Sequence, residues 1–324
     1  MQGDCRRGLI NHEICRVLDS DPGNWSGSIR RHSGRETGQF AVLGFWLRRE
    51  LCVIDILQAM MLNDNILEYV PKRPCAVVSS CIATPAMPLD VKTLIPDANL
   101  RRRMGPLLRM AVGCGISALG DIEPDEVSGI ITSTGLGFMK DTVAFADMLI
   151  GRNEEMLNPS PFMQSTFNTA SGYIAMLKKI RSYNTTYVHR SGGFAAALTD
   201  ALLLVEETGG NVLVGGFDEA TPEVDEYRRK LGCWKDVDFL GEGAGFLCLG
   251  GRDNGVRILG VHPSNADVDC DSKVLCSSYL DRLGAFFSIL PVVLGTVIGE
   301  LPQGRILVVD DVNPGGPAVL LEID

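Results

Sequence analysis

No CxxC pair occurs anywhere in this chain, although it holds ten cysteines, and their neighbours, as at Cys75, Cys114 and Cys248, are apolar. That excludes zinc ribbons and redox motifs and predicts reduced thiols inside a core. Histidine is scarce. The four that exist, His12, His32, His189 and His262, never fall at ligand spacing with one another or with a cysteine pair, so no metal site is expected. Net positive charge is missing as well. A formal charge of -10 argues against a surface built for nucleic acid. No run of about 18 apolar residues is present, and the start MQGDCRRGLINHEICRVLDS has no apolar block of the signal-peptide kind. The expectation is a cytoplasmic protein with no membrane partner.

With 45% hydrophobic residues over a length of 324, the chain can bury a large core. Residues 1–72 read as an N-terminal extension: GNWSGSIRRHSGRETGQF is polar, glycine-rich and partly disordered by composition, and PKRP at Pro71–Pro74 acts as a hinge. Residues 73–324 form the main domain. From Cys75, β-branched runs alternate with stretches of helical spacing: CAVVSSCIA, MGPLLRMAVGCGISALG, VSGIITSTG, TVAFADMLIG, NTASGYIAMLKKI, NTTYV, GFAAALTDALLLVEETG and NVLVGGFDE. The pattern predicts a mixed α/β sheet with helices on its faces. A long buried helix is expected from Leu283, and the Asn-Pro-Gly-Gly turn between RILVVDD and PAVLLEID predicts a closing hairpin.

GEGAG at Gly241–Gly245 superficially suggests a dinucleotide loop, but that motif needs a helix after it, where the phosphate meets the helix N-terminus. Here the strand-like FLCLG follows, and no nucleotide or other cofactor is expected. His189-Arg190-Ser191 is the remaining polar cluster, at the junction of NTTYV with the next helix. Its bland reading is a strand end at His189 followed by a serine cap at Ser191.

The segments RRRMGPLLRMAV, NPSPFMQSTFNTASGYIAML, HRSGGFAAALTDALLLVEETGGNVLVGGFDE, FLGEGAGFLCL and VNPGGPAVLL, in this order, resemble the β-ketoacyl synthase family. The short length and altered core motif are most similar to the synthase-like proteins of aryl-polyene and flexirubin-type pathways. The resemblance implies a thiolase-like layered α/β/α/β/α core with mixed sheets and an abbreviated C-terminal half. It implies no metal or cofactor, a homo- or heterodimer with a β-ketoacyl synthase, and contact with an acyl carrier protein. Phe162, Asn168, Gly172 and Phe194 would line the acyl tunnel and dimer interface, and Gly241, Gly243, Gly245, Gly315 and Gly316 would form the family's loops.

Condensing members place a cysteine at a helix N-terminus, where the peptide N–H groups lower the thiol's pKa and hold an oxyanion. Counting back from VLVGGFDE puts that position on Arg190, or on Ser191 one residue along. The segment YLDRLGAFF puts Asp281 where a catalytic histidine belongs and Cys276 where a lysine belongs, and the second histidine has no counterpart. Losing cooperating catalytic groups costs up to about a million-fold in rate. The expected function is therefore a non-condensing, chain-length-factor-like subunit in fatty-acid or polyene synthesis. The alternatives are an acyltransferase using Ser191 with His189 or Asp281, and a decayed paralogue. In the last case Arg190 would need a carboxylate, with Asp218, Glu242 and Asp281 as candidates.

Overall fold

The β-branched run CAVVSSCIA becomes strand β1 (Cys75–Ala83), followed by helices α1 (Val91–Leu94), α2 (Ala98–Arg103) and α3 (Pro106–Leu119). A computed structural model describes residues 68–151, 155–235, 237–300 and 303–324, and the expected extension lies outside it as far as residue 67. Strand β2 (Val127–Thr134) leads to α4 (Met139–Gly151), α5 (Pro159–Ser165), α6 (Thr169–Lys178), β3 (Tyr183–Val188), α7 (Gly193–Thr208) and β4 (Asn211–Asp218). After them come α8 (Pro222–Leu231), β5 (Gly243–Gly250), β6 (Val256–Pro263), β7 (Ser272–Leu275), α9 (Leu280–Leu283), α10 (Ile289–Glu300), β8 (Gly304–Val309) and β9 (Pro317–Ile323).

Local chemistry sets many of these limits. Pro106 opens α3 at a position whose N–H would be unpaired anyway, and Gly120, with φ 55°, closes it. Thr221 caps α8 by accepting from the Val224 N–H. The helix α7 ends at Gly209 in the left-handed region, where glycine carries no Cβ penalty.

All nine strands form one sheet in the order β3-β2-β4-β5-β1-β6-β9-β8-β7. Outward from its centre the two sides run β1-β5-β4-β2-β3 and β6-β9-β8-β7. The second side repeats the first four strands of the other. β2 and β4 pair in parallel, as do β7 and β8, while β5 and β9 run antiparallel to their neighbours. No described strand lies beyond β7, so the second side lacks a counterpart of β3. The expected shortening of the C-terminal half is located there.

Helices α7 and α10 lie between the two sides. Their apolar residues, among them Phe194, Leu198, Leu202, Ile289, Val293 and Val297, share one core with Val212, Leu247, Ile306 and Leu321 from the strands. On the outer face of the first side, α3 and α6 pack through Leu108, Val112 and Ile174 against Ile130, Leu213 and Phe246. The outer face of the second side carries a smaller cluster of Leu307, Val309 and Leu320 with Leu259, Val268 and Cys270. No described helix contributes to it, so of the five expected layers the described residues supply four.

The structure also shortens the expected apolar helix. It begins at Ile289 instead of Leu283, because the intervening residues bond elsewhere. Gly241 N–H donates to Ala285 O at 3.0 Å, and Ser288 N–H is taken by a buried carboxylate described below. The first turn of α10 rests directly on the sheet. A Cβ on Gly245 would lie 2.5 Å from the backbone C and O of Pro291, closer than real contacts permit. Gly245→Ala is therefore expected to lower the unfolding free energy by about 1–3 kcal/mol, read as a lower urea midpoint at unchanged slope.

Candidate functional site

The junction between β3 and α7 is built from its backbone. His189 N–H donates to Thr134 O at 3.2 Å, extending the parallel β2–β3 ladder by one bond. The His189 ring then turns back on the chain, and its Nδ1 accepts from the Ser191 and Gly192 N–H groups at 3.3 and 2.9 Å. An imidazole nitrogen that accepts carries no proton, so the ring is neutral with its hydrogen on Nε2. Its pKa is lowered accordingly, first by burial and then by the Arg190 guanidinium.

This arrangement corrects the reading of Ser191 as a helix cap. The cap residue is Gly192, which makes no side-chain bond, and the histidine ring instead accepts from the two N–H groups just before the helix, those of Ser191 and Gly192. No hydrogen bond joins His189 to the Ser191 hydroxyl among the described residues, so the pair is not assembled as base and nucleophile.

Among the described residues Arg190 forms no ion pair. Its guanidinium carbon stands over the Tyr227 ring of α8, 5.1 Å from the centroid, in a cation–π contact. The candidate carboxylates are occupied or distant in role: Glu242 accepts from the Ala220 N–H at 3.3 Å, Asp281 is exposed on α9, and Asp218 is bonded as follows. Beyond Tyr227 lie Cys233 and Trp234. Burial pushes the Cys233 thiol up while Arg190 draws it down. The Trp234 ring meets Phe287 at 4.6 Å, tilted by 48°, and Phe287 lies against Gly135, whose missing Cβ would come within 2.4 Å of it. The head of α7 is thus ringed by β2, α8 and the approach to α10.

One carboxylate fixes that ring. Asp218, fully buried at the end of β4, accepts from Thr134 Oγ1 at 2.9 Å, from the Gly135 N–H at 3.0 Å and from the Leu136 N–H at 3.1 Å. It also takes the Ser288 N–H at 2.9 Å. Burial raises its pKa against these donors. The second side repeats the device. Asp310 follows β8 and accepts from the Val312 and Asn313 N–H groups and from Asn313 Nδ2, and burial pushes its carboxyl up to about 7. Glu219, next to Asp218, accepts from the Lys140 N–H at 2.7 Å. Its carboxyl is also pushed up to about 7, by burial first and by the nearby Asp141 and Glu242.

The other expected site residues do not converge on one place. Phe162 is 53% exposed, Asn168 caps α6 without a side-chain bond, and Gly172 is exposed on the same helix. Phe194 is buried in the central core. Gly241 and Gly243 flank the start of β5, where a Cβ on Gly241 would meet Leu283 O. Gly315 takes φ 65° in the hairpin turn, and a Cβ on Gly316 would meet Asp310 O. These loop glycines serve packing. Cys276 is buried, and all seven described cysteines are free.

The matched family now fits this geometry. Residues 81–231 match the family model of the β-ketoacyl synthase N-terminal domain. That part of the chain is similar to the N-terminal domain of β-ketoacyl synthases. Its fold is shared with the ishigamide ketosynthase/chain length factor, at 14% identity and a TM-score of 0.61, over 78% of this chain and 99% of that one. A ketosynthase in complex with its chain length factor from Xenorhabdus doucetiae aligns at 16% identity and a TM-score of 0.52, over 78% of this chain and 100% of that one. A β-ketoacyl synthase from Burkholderia phymatum aligns at 9% and 0.55, over 79% and 99%. At such identities these likenesses establish the thiolase-like fold. No curated protein matches the chain in sequence.

Within this synthase-like domain, sequence reasoning missed α8 and the aromatic pair Tyr227 and Trp234. TPEVDEYRRKLG does carry the signals, a threonine cap, acidic residues in the first turn, basic ones in the last and a closing glycine. Asp310 and Glu219 bind protons more tightly folded than unfolded. Their protonation favours the folded state below the usual carboxylate range and is lost as pH rises towards about 7. Stability is expected to fall between about pH 4 and about pH 7, and Asp310→Asn to flatten that slope, as measured by urea midpoints across the range.

Proposed function

We propose that this chain is a non-condensing, chain-length-factor-like subunit that pairs with an active β-ketoacyl synthase in fatty-acid or polyketide assembly of the aryl-polyene kind. The observation that carries the reading is the head of α7. Where a condensing enzyme needs a thiol, this chain has Arg190 engaged with Tyr227 and Ser191 without a base on its hydroxyl. Asp281, at a catalytic histidine position by resemblance, is an exposed carboxylate. No group in this set generates a nucleophile or protonates an enolate.

The pairing surface in this reading is the edge strand β3 with the helices beside it. β3 ends the sheet, so one row of its backbone groups is open to another strand. Around it Phe162, Phe167, Met176, Tyr183 and Val188 are each more than two-fifths exposed, an apolar surround of the sort that marks an interface. The solved ketosynthase and chain length factor complex supports a heterodimer. So does the structure described as an acyl-carrier protein with its ketosynthase, which makes a carrier protein a natural third component. Residues 73–324 are the working domain and the cytoplasm its place of action.

Co-expression with a candidate partner β-ketoacyl synthase tests the reading. A stable complex on size exclusion is expected, dissociated by Met176→Asp with the circular dichroism of this chain unchanged. Ser191→Ala should leave the activity of the complex within about twofold. A partner that is soluble and fully active alone, with no complex, would overturn the proposal. An acyl adduct on Ser191 after incubation with carrier thioester would replace it with an acyltransferase.

A further inference from the structure

We propose that the cavity between the loop after β1 and helices α1, α2 and α3 binds an organic phosphate monoester, with the phosphate on Arg101, Arg109 and Lys92 and the apolar body against Leu89 and Met110. The cavity holds about 490 Å³, and all five of these residues line it. Every residue from 84 to 110 is described, so no side chain of this stretch is left out of its charge balance. The site stands whether or not the chain pairs with a synthase, because it concerns what the chain alone binds.

Charge around this cavity is unbalanced. Arg109 is partly buried, and its side chain makes no hydrogen bond or ion pair among the described residues. A guanidinium drawn out of water without a counter-charge is costly. Arg101 is oriented by its own backbone, since Nη1 donates to Ile95 O and to Pro96 O, the latter at 2.7 Å. Carbonyls hold that group in place without neutralising it. Of the described residues that line the cavity, only Asp90 carries a carboxylate, and it already caps α1, accepting from the Lys92 N–H at 3.1 Å and from Thr93 Oγ1 at 2.6 Å. Asp97, which caps α2, and Asp141, beside Gly105, do not line it. Three cations against one carboxylate leave two positive charges. In a chain whose formal charge is -10, that local excess calls for an anion.

Charge and shape select the class. A phosphate monoester carries nearly two negative charges at neutral pH and offers three acceptor oxygens, which matches the excess, and guanidinium forks grip phosphate in a bidentate way. A carboxylate would leave one positive charge over. The remaining wall is mostly apolar. Pro106, Arg109 and Met110 line the cavity at helical spacing from one face of α3, so a cation and an apolar chain are offered from the same side. Pro85, Pro88 and Pro106 stiffen the backbone around it, which lowers the ordering cost of binding. The volume falls in the range of small-molecule sites and leaves room for a body beyond the phosphate itself.

The test follows the methyl resonance of Met110 by nuclear magnetic resonance in the full chain, with Met110→Leu assigning it among the 11 methionines. Titration with phenyl phosphate, against sodium chloride at equal ionic strength, should give a saturable shift. Arg109→Gln should weaken binding by about tenfold or more, and Lys92→Ala, at an exposed position, by about threefold, with melting temperatures confirming that both variants fold. Arg305→Gln, on β8 and outside the cavity, should leave the affinity unchanged. A resonance that phenyl phosphate moves no more than chloride does, or full affinity in both Arg109→Gln and Lys92→Ala, would overturn the site. Benzoate binding as tightly as phenyl phosphate would overturn the assignment to a phosphate, and inorganic phosphate binding as tightly would reduce the site to an adventitious ion only.

Discussion

A buried carboxylate without a cation holds the centre of this molecule. Asp218 draws the end of β2, the loop after it and the entry to α10 onto the end of β4, and it does so entirely with neutral donors. Removing a charged group from water is costly unless hydrogen bonds replace the solvent. This site supplies them from three separate segments, so the acid is satisfied only when all three are in place. The shape of the head of α7 follows from that requirement, since Phe287 and Gly135 are brought together by the same bonds.

The other side of the sheet reaches a similar solution more locally. Asp310 is bonded within its own turn, and Asn313 carries the connection onward, donating to Phe287 O at 3.1 Å. The two buried acids therefore approach the same segment, Phe286 to Ser288, from opposite sides of the repeat. Small residues let the layers close this tightly: Gly245 and Gly216 lie beneath Pro291, where any side chain would lift α10 off the strands.

Most of the fold was legible from periodicity. β1, β2, α3, α6, α7 and β4 fall where β-branched runs and helical spacing place them, and the hairpin of β8 and β9 follows its Asn-Pro-Gly-Gly turn. What escaped had weak local signals. β7 has only four residues, and α8 is dominated by charge, with its apolar face too narrow to stand out. The start of α10 was misjudged because Gly284–Ser288 is as apolar as a helix but is bonded to distant segments. At the candidate site the residue types were readable and their partners were not. Nothing local to His189 indicates that its ring would accept two backbone N–H groups, and Arg190 looked to need a carboxylate because an aromatic face thirty-odd positions away has no sequence signature.

The two ends of the sheet are unlike. β3 presents six residues flanked by exposed aromatic and methionine side chains, whereas β7 is short, and its exposed residues include Ser272 and Lys273. A long apolar edge invites another strand, and a short edge with a lysine discourages one. Of the described edges one is adhesive and one is blunt, so growth by strand addition has a single productive end. Two chains that paired through it would use up each other's open edge, the geometry of a closed pair and not of a fibre.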